Sequence, residues 1–103
     1  MDVWETAVRI IMIRFVIAYD CPDDQRRRRI ARLLEQVADR VQYSVFEGWL
    51  TQEEAKKVTQ ALAAIVRTKT DSVRIYRLCE RCLSHMEVLG SNRIENPPKY
   101  FVL

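Results

Sequence analysis

Apolar positions along this chain come in two rhythms, and each change of rhythm marks a change of element. Ile13-Arg14-Phe15-Val16-Ile17-Ala18-Tyr19 is a nearly continuous apolar run of strand length, rich in β-branched residues, and predicts a central strand. It ends in Asp20-Cys21-Pro22-Asp23-Asp24, where Pro22 cannot donate to a ladder and Asp23 can cap a helix by accepting from its first free amides. In the helix predicted to follow, Ile30, Leu33, Leu34, Val37 and Ala38 recur every three or four residues on one stripe, with Arg28, Arg32 and Glu35 on the other side.

The segment Arg40 to Leu50 is aromatic and β-branched enough to be strand, with a possible break inside it and a bulge or bend at Gly48. Thr51-Gln52-Glu53-Glu54 matches a capping box, which opens a second helix running to about Thr68 with Ala55, Val58, Leu62 and Ile65 inward. Asp71-Ser72 supplies a turn, and Val73 to Leu78 alternates as a further strand. A shorter strand is expected at Met86-Glu87-Val88-Leu89, before Gly90-Ser91-Asn92. Tyr100-Phe101-Val102-Leu103, behind Pro97-Pro98, reads as an edge strand or an arm.

This succession is that of a ferredoxin-like α+β sandwich, βαββαβ, with an extra C-terminal strand. Residues 1–12 are expected to be an N-terminal extension, and residues 13–103 one domain with a C-terminal arm from about residue 91. Two helices cover one face of a sheet, yet the first strand is apolar on both faces, with Phe15 and Ile17 on one and Val16 and Ala18 on the other. A second copy of the chain is the simplest cover for the remaining face.

Composition agrees with a small globular domain: of 103 residues, 49% are hydrophobic and 30% charged, which excludes a disordered tail. A chain of this size buries only about two-thirds of the surface its unfolded form exposes, so burial through dimerisation would matter. The apolar stretch Ile10 to Tyr19 is interrupted by Arg14 and falls short of the roughly 20 residues of a membrane span, so no membrane partner is expected. Three cysteines form no secreted disulfide framework, and a reducing cytoplasm fits best. Cys79-Glu80-Arg81-Cys82 with His85 clusters only three metal ligands, where a closed zinc site needs four.

The net charge of +3 is too small to identify a nucleic-acid partner, but its distribution is uneven. Arg26, Arg27, Arg28 and Arg29 are consecutive and Arg32 follows one turn on, all near the N-terminal end of the first predicted helix. The helix dipole disfavours cations there, which suggests that the charge serves binding. A solvated helix face is the plain alternative. Trp49, Tyr43 and Tyr76 could stack on bases, although strand aromatics more often belong to a core or an interface.

Three segments together carry a family resemblance: Phe15-Val16-Ile17-Ala18-Tyr19-Asp20 with Pro22-Asp23-Asp24 and the arginines; Gln42-Tyr43-Ser44-Val45-Phe46-Glu47-Gly48; and Asp71 to Leu78. In order and spacing they resemble the CRISPR-associated protein 2 family, over about Met12 to Gly90. The resemblance implies a ferredoxin-like domain dimerising through its sheet and a Mg-dependent endonuclease acting on RNA or DNA. It also implies partnership with CRISPR-associated protein 1, the integrase of spacer acquisition. Residue by residue, Asp20 matches the metal-binding aspartate, Tyr19 stands before it, Ser44 lies in the second motif, and Arg27, Arg29, Arg40 and Phe46 match positions implicated in activity. Arg28 and Arg32 join the arginines expected to grip a nucleic-acid backbone. Such chains usually begin a few residues before the first strand, so Met12 is read as a usable start.

The chemistry places its own demands. Mg²⁺ takes hard oxygen ligands and keeps several waters, so one carboxylate is a thin site, whereas two copies of Asp20 meeting across a dimer axis could hold one ion. Glu47, Asp23 and Asp24 are the nearby candidates for a general base, and the two aspartates can equally be caps. Two further readings stand beside the nuclease: a non-catalytic scaffold for duplex DNA, and a toxin-like ribonuclease on the same fold.

Overall fold

A computed structural model describes residues 11–91 of the chain. Strand β1 (Ile13–Asp20) leads into helix α1 (Asp24–Glu35), followed by strands β2 (Asp39–Gln42) and β3 (Val45–Leu50). Helix α2 (Gln52–Ile65), strand β4 (Ser72–Leu78) and a short helix α3 (Glu80–Ser84) complete the order. The sheet is antiparallel with spatial order β2-β3-β1-β4, so the expected βαββαβ arrangement holds and β1 is central.

Alternation along β1 sorts its side chains between two environments. Phe15, Ile17 and Tyr19 point toward the helices, where they meet Phe46 and Leu50 of β3, Ile30 and Leu34 of α1, and Val58 and Leu62 of α2 in one buried core. The opposite face carries Val16 and Ala18, both half-buried, with Tyr76 of β4 46% exposed. Arg14, on this second face, is 2% exposed; it pairs with Glu47 at 3.3 Å and lies 5.5 Å over the Trp49 ring.

The helix starts follow their sequence signals. Asp23 is the N-cap of α1 and accepts from the Arg26 amide at 2.9 Å. Both bonds of the predicted box form at α2, Glu54 N–H to Thr51 Oγ1 at 3.1 Å and Thr51 N–H to Glu54 Oε1 at 2.9 Å. The ends differ from expectation. Helix α1 stops at Glu35, and Val37 and Ala38 pack against the core from the turn that follows, so the apolar spacing outran the helix. Helix α2 stops at Ile65 rather than near Thr68, because Val66 is already extended.

The break expected as possible inside Arg40 to Leu50 is present: the segment forms two strands joined through Tyr43-Ser44. No residue there has a positive φ, and a register shift between Arg40 and Gln42 accommodates the turn. The bulge is therefore in β2 and not at Gly48, which pairs regularly with Phe15. Gly48 answers a close approach: a Cβ there would lie 2.8 Å from the Val37 carbonyl oxygen and 2.9 Å from Ala38 Cβ. The strand expected at Met86–Leu89 does not form; the chain instead turns through α3, whose N-cap is Cys79. The C-terminal strand or arm from residue 92 on and residues 1–10 of the N-terminal extension lie outside the described residues.

Asp71, expected only to mark a turn, is a buried anchor with its side chain fully enclosed. Its carboxylate accepts from Arg26 Nε at 2.8 Å and Nη2 at 3.0 Å, and from the Arg67 amide at 3.0 Å, tying α1 to the connection before β4. The Arg26 guanidinium, then the Arg67 amide, hold its carboxyl well below the usual carboxylate range. The stabilisation is thus complete above the unfolded carboxylate pKa of about 3.9 and is lost as pH falls below it toward the native value. Asp71→Ala is expected to lower the thermal midpoint markedly near neutral pH, with the gap to wild type narrowing by about pH 2. A gap independent of pH would contradict the ion-pair account.

Candidate functional site

The C-terminal end of β1 gathers most of the residues singled out from the sequence. Asp20 is exposed there, on the sheet face away from the helices, opposite Ser72 of β4. Among the described residues its carboxylate forms no ion pair. Immediately before it, the Tyr19 amide donates to the Ser44 carbonyl at 3.1 Å, which fixes the β2–β3 turn beside the end of β1. Ser44 thereby reaches the site through its backbone.

Tyr19 and Phe46 are core residues at 5% and 0% exposure, with ring centroids 6.3 Å apart. Burial pushes the Tyr19 phenol above its ordinary value against the opposing pull of Arg40. Arg40 lies 5.0 Å over the Phe46 ring, donates to the Tyr43 carbonyl at 2.6 Å and pairs with Glu35 at 3.4 Å. Its guanidinium is therefore held on the hairpin side of the site.

A helix turns by about 100° per residue, so four consecutive arginines cannot form one patch. Arg26 turns to Asp71 and is structural. Arg27 turns toward the end of β1, donating from Nη1 to the Cys21 carbonyl at 3.0 Å and pairing with Asp24. Arg28 and Arg29 point outward with Arg32 and Gln25, along an open groove of about 400 Å³. No acidic partner neutralises Arg28, Arg29 or Arg32 among the described residues, and all three are exposed. The dipole conflict at this helix end is eased by Asp23 and Asp24, which pair with Arg26 and Arg27.

The candidate bases are all engaged: Asp23 caps α1, Asp24 pairs with Arg27, and Glu47 pairs with Arg14. Among the described residues no three His, Cys, Asp or Glu side chains converge as a metal site. The Asp20 carboxylate has the hard-oxygen character that Mg²⁺ takes, and its exposure leaves room for the waters such an ion keeps. One chain supplies a single such carboxylate at this point.

Residues 12–86 match the family model described as CRISPR associated protein Cas2. The chain belongs to this family. A Synechocystis relative named CRISPR-associated endoribonuclease Cas2 3 is 40% identical over 87 residues, covering 84% of this chain and 95% of the relative. The crystal structure of Streptococcus pyogenes Cas2 superposes with a TM-score of 0.65 at 33% identity, covering 75% of this chain and 99% of that one. A chain in a partial Cas6-RT-Cas1–Cas2 complex gives a TM-score of 0.68 at 27% identity, covering 84% of this chain and 95% of that one. The Cas2 match spans β1 to α3, so it contains every candidate site residue.

Sequence reasoning missed the Arg26–Asp71 and Arg14–Glu47 pairs. Arg14, a cation inside an otherwise apolar run, was the one signal for the second.

Proposed function

We propose that this Cas2-family chain is a Mg²⁺-dependent endonuclease, cutting RNA or DNA as a homodimer, and that it also joins a Cas1-type integrase in spacer acquisition. The observation that carries the reading is the exposed Asp20 carboxylate at the end of the central strand, which forms no ion pair among the described residues, with Arg27 bonded to the Cys21 carbonyl one residue on. The endoribonuclease name of the Synechocystis relative supports the activity, and the Cas1–Cas2 complex supports the partnership.

Asp20 shares the sheet face of Val16 and Ala18, and a second copy packed on that face about an axis passing beside the end of β1 would bring its own Asp20 to the same point. The two carboxylates would hold the ion. Bound there, Mg²⁺ would polarise a phosphoryl oxygen and acidify a coordinated water. Arg27 stands beside the strand end to neutralise phosphate charge through forked donors, and Arg40, stacked on Phe46, holds the hairpin side. The Arg28, Arg29 and Arg32 stripe tracks a backbone across the outer face of α1.

The deciding assay incubates the purified protein with RNA and with duplex DNA, with and without Mg²⁺. Cleavage that requires the metal is expected, and binding without any cleavage would favour the scaffold reading. For the stripe, replacing Arg28, Arg29 and Arg32 by Gln should flatten the log–log salt dependence of binding by about 2 to 3 units if each meets one phosphate. An unchanged slope would remove these arginines from the interface.

A further inference from the structure

Cys79 and Cys82 take no part in the site above, yet they are placed for chemistry of their own. Cys79 directly follows Leu78, the last residue of β4, and Cys82 lies one helical turn on. Their Sγ atoms are 3.2 Å apart and both residues are exposed. A disulfide is about 2.05 Å long, so the sulfurs need to close by only about 1 Å. The third cysteine offers a built-in contrast: Cys21 is 3% exposed, with its Sγ against the Asp23 carbonyl.

We propose that Cys79 and Cys82 form a reversible dithiol–disulfide pair, a redox modification site oxidised by exchange with a low-molecular-weight disulfide of the glutathione class. The two thiols have separate roles. The Cys82 amide donates to Cys79 Sγ at 3.4 Å, and this bond leads the causes that hold the Cys79 thiol below its ordinary value. Cys82 is pushed up by its hydrogen bond to Cys79. Cys79 is therefore the attacking thiolate and Cys82 the resolving thiol.

In the first step the Cys79 thiolate attacks one sulfur of the small disulfide, forming a mixed disulfide and releasing one small thiolate. Cys82 then loses its proton and attacks Cys79 Sγ, forming the internal bond and releasing the second small thiolate. The protein gives up two electrons and two protons, and the small disulfide becomes two thiols. The closed ring staples the turn by which the chain leaves β4, an edge strand of the sheet.

The test equilibrates the full-length protein with glutathione buffers from reduced to oxidised, quenches with acid, alkylates under denaturing conditions and maps the peptides by mass. Two thiols should disappear together as one internal bridge across residues 79–82, restored by dithiothreitol, while Cys21 remains alkylatable after denaturation. Cys82→Ser should trap glutathione on Cys79 as a stable adduct, and Cys79→Ser should lose the rapid reaction. Both thiols staying alkylatable in fully oxidised glutathione, or bridges forming only between chains, would overturn the pair. Equal reaction of the two single variants would overturn the assigned roles. The readout is of thiols alone, so it stands or falls apart from nuclease activity.

Discussion

Asp20→Asn protein is expected to lose metal-dependent cleavage by about a hundredfold or more while keeping its thermal midpoint. An ion polarising a phosphoryl oxygen contributes several kcal/mol in the transition state, and each 1.36 kcal/mol is about tenfold in rate. Asparagine keeps the shape of the side chain and one oxygen but removes the charge, from both subunits at once if the site is shared. Stability should not follow, since Asp20 is exposed at a strand end and forms no ion pair among the described residues. Single-turnover cleavage at saturating Mg²⁺, beside a thermal melt, separates the two effects. Undiminished cleavage would sink the assignment of Asp20, and a collapsed melt would make it a structural residue instead.

Phe46→Ala is expected to cost about 3–5 kcal/mol of stability, a large part of the about 5–15 kcal/mol typical of a whole domain. Phe46 is 0% exposed between the sheet and the helices, stacked beside Tyr19 and under Arg40. Truncation opens a cavity under the very hairpin that holds Ser44 and Arg40. Any loss of cleavage in this variant would then be a loss of folded protein. Phe46→Leu discriminates, because it keeps most of the apolar volume and should cost only about 1–2 kcal/mol. Urea denaturation and cleavage measured on both variants decide the matter: a stably folded Phe46→Leu protein without activity would return Phe46 to the reacting groups.

Both predictions depend on a distinction that residue spacing could not make. The resemblance points to Asp20, Tyr19, Ser44 and Phe46, and the chain sets Tyr19, Ser44 and Phe46 against one another near the end of β1 that Asp20 closes. Yet Tyr19 and Phe46 are on the helix side of the sheet, and Asp20 is on the other. Alternation along β1 separates Tyr19 from its neighbour completely. The arginine run shows the same limit on a helix. Five cations that looked like one patch serve as a latch to Asp71, a neighbour of the site in Arg27, and an outward stripe in Arg28, Arg29 and Arg32.

Local pattern alone was enough for the positions of β1, β4 and both long helices, for the caps at Asp23 and Thr51, and for the ferredoxin-like order. Each of these rests on residues within a few positions of one another, where steric preference and amide satisfaction act without help from the rest of the chain. Chain folding was needed to end α1 at Glu35, to require glycine at position 48, and to turn Asp71 from a loop residue into the partner of Arg26. That pair joins residues 45 positions apart, and its strength comes from enclosing a carboxylate between elements that meet only after the sheet has closed.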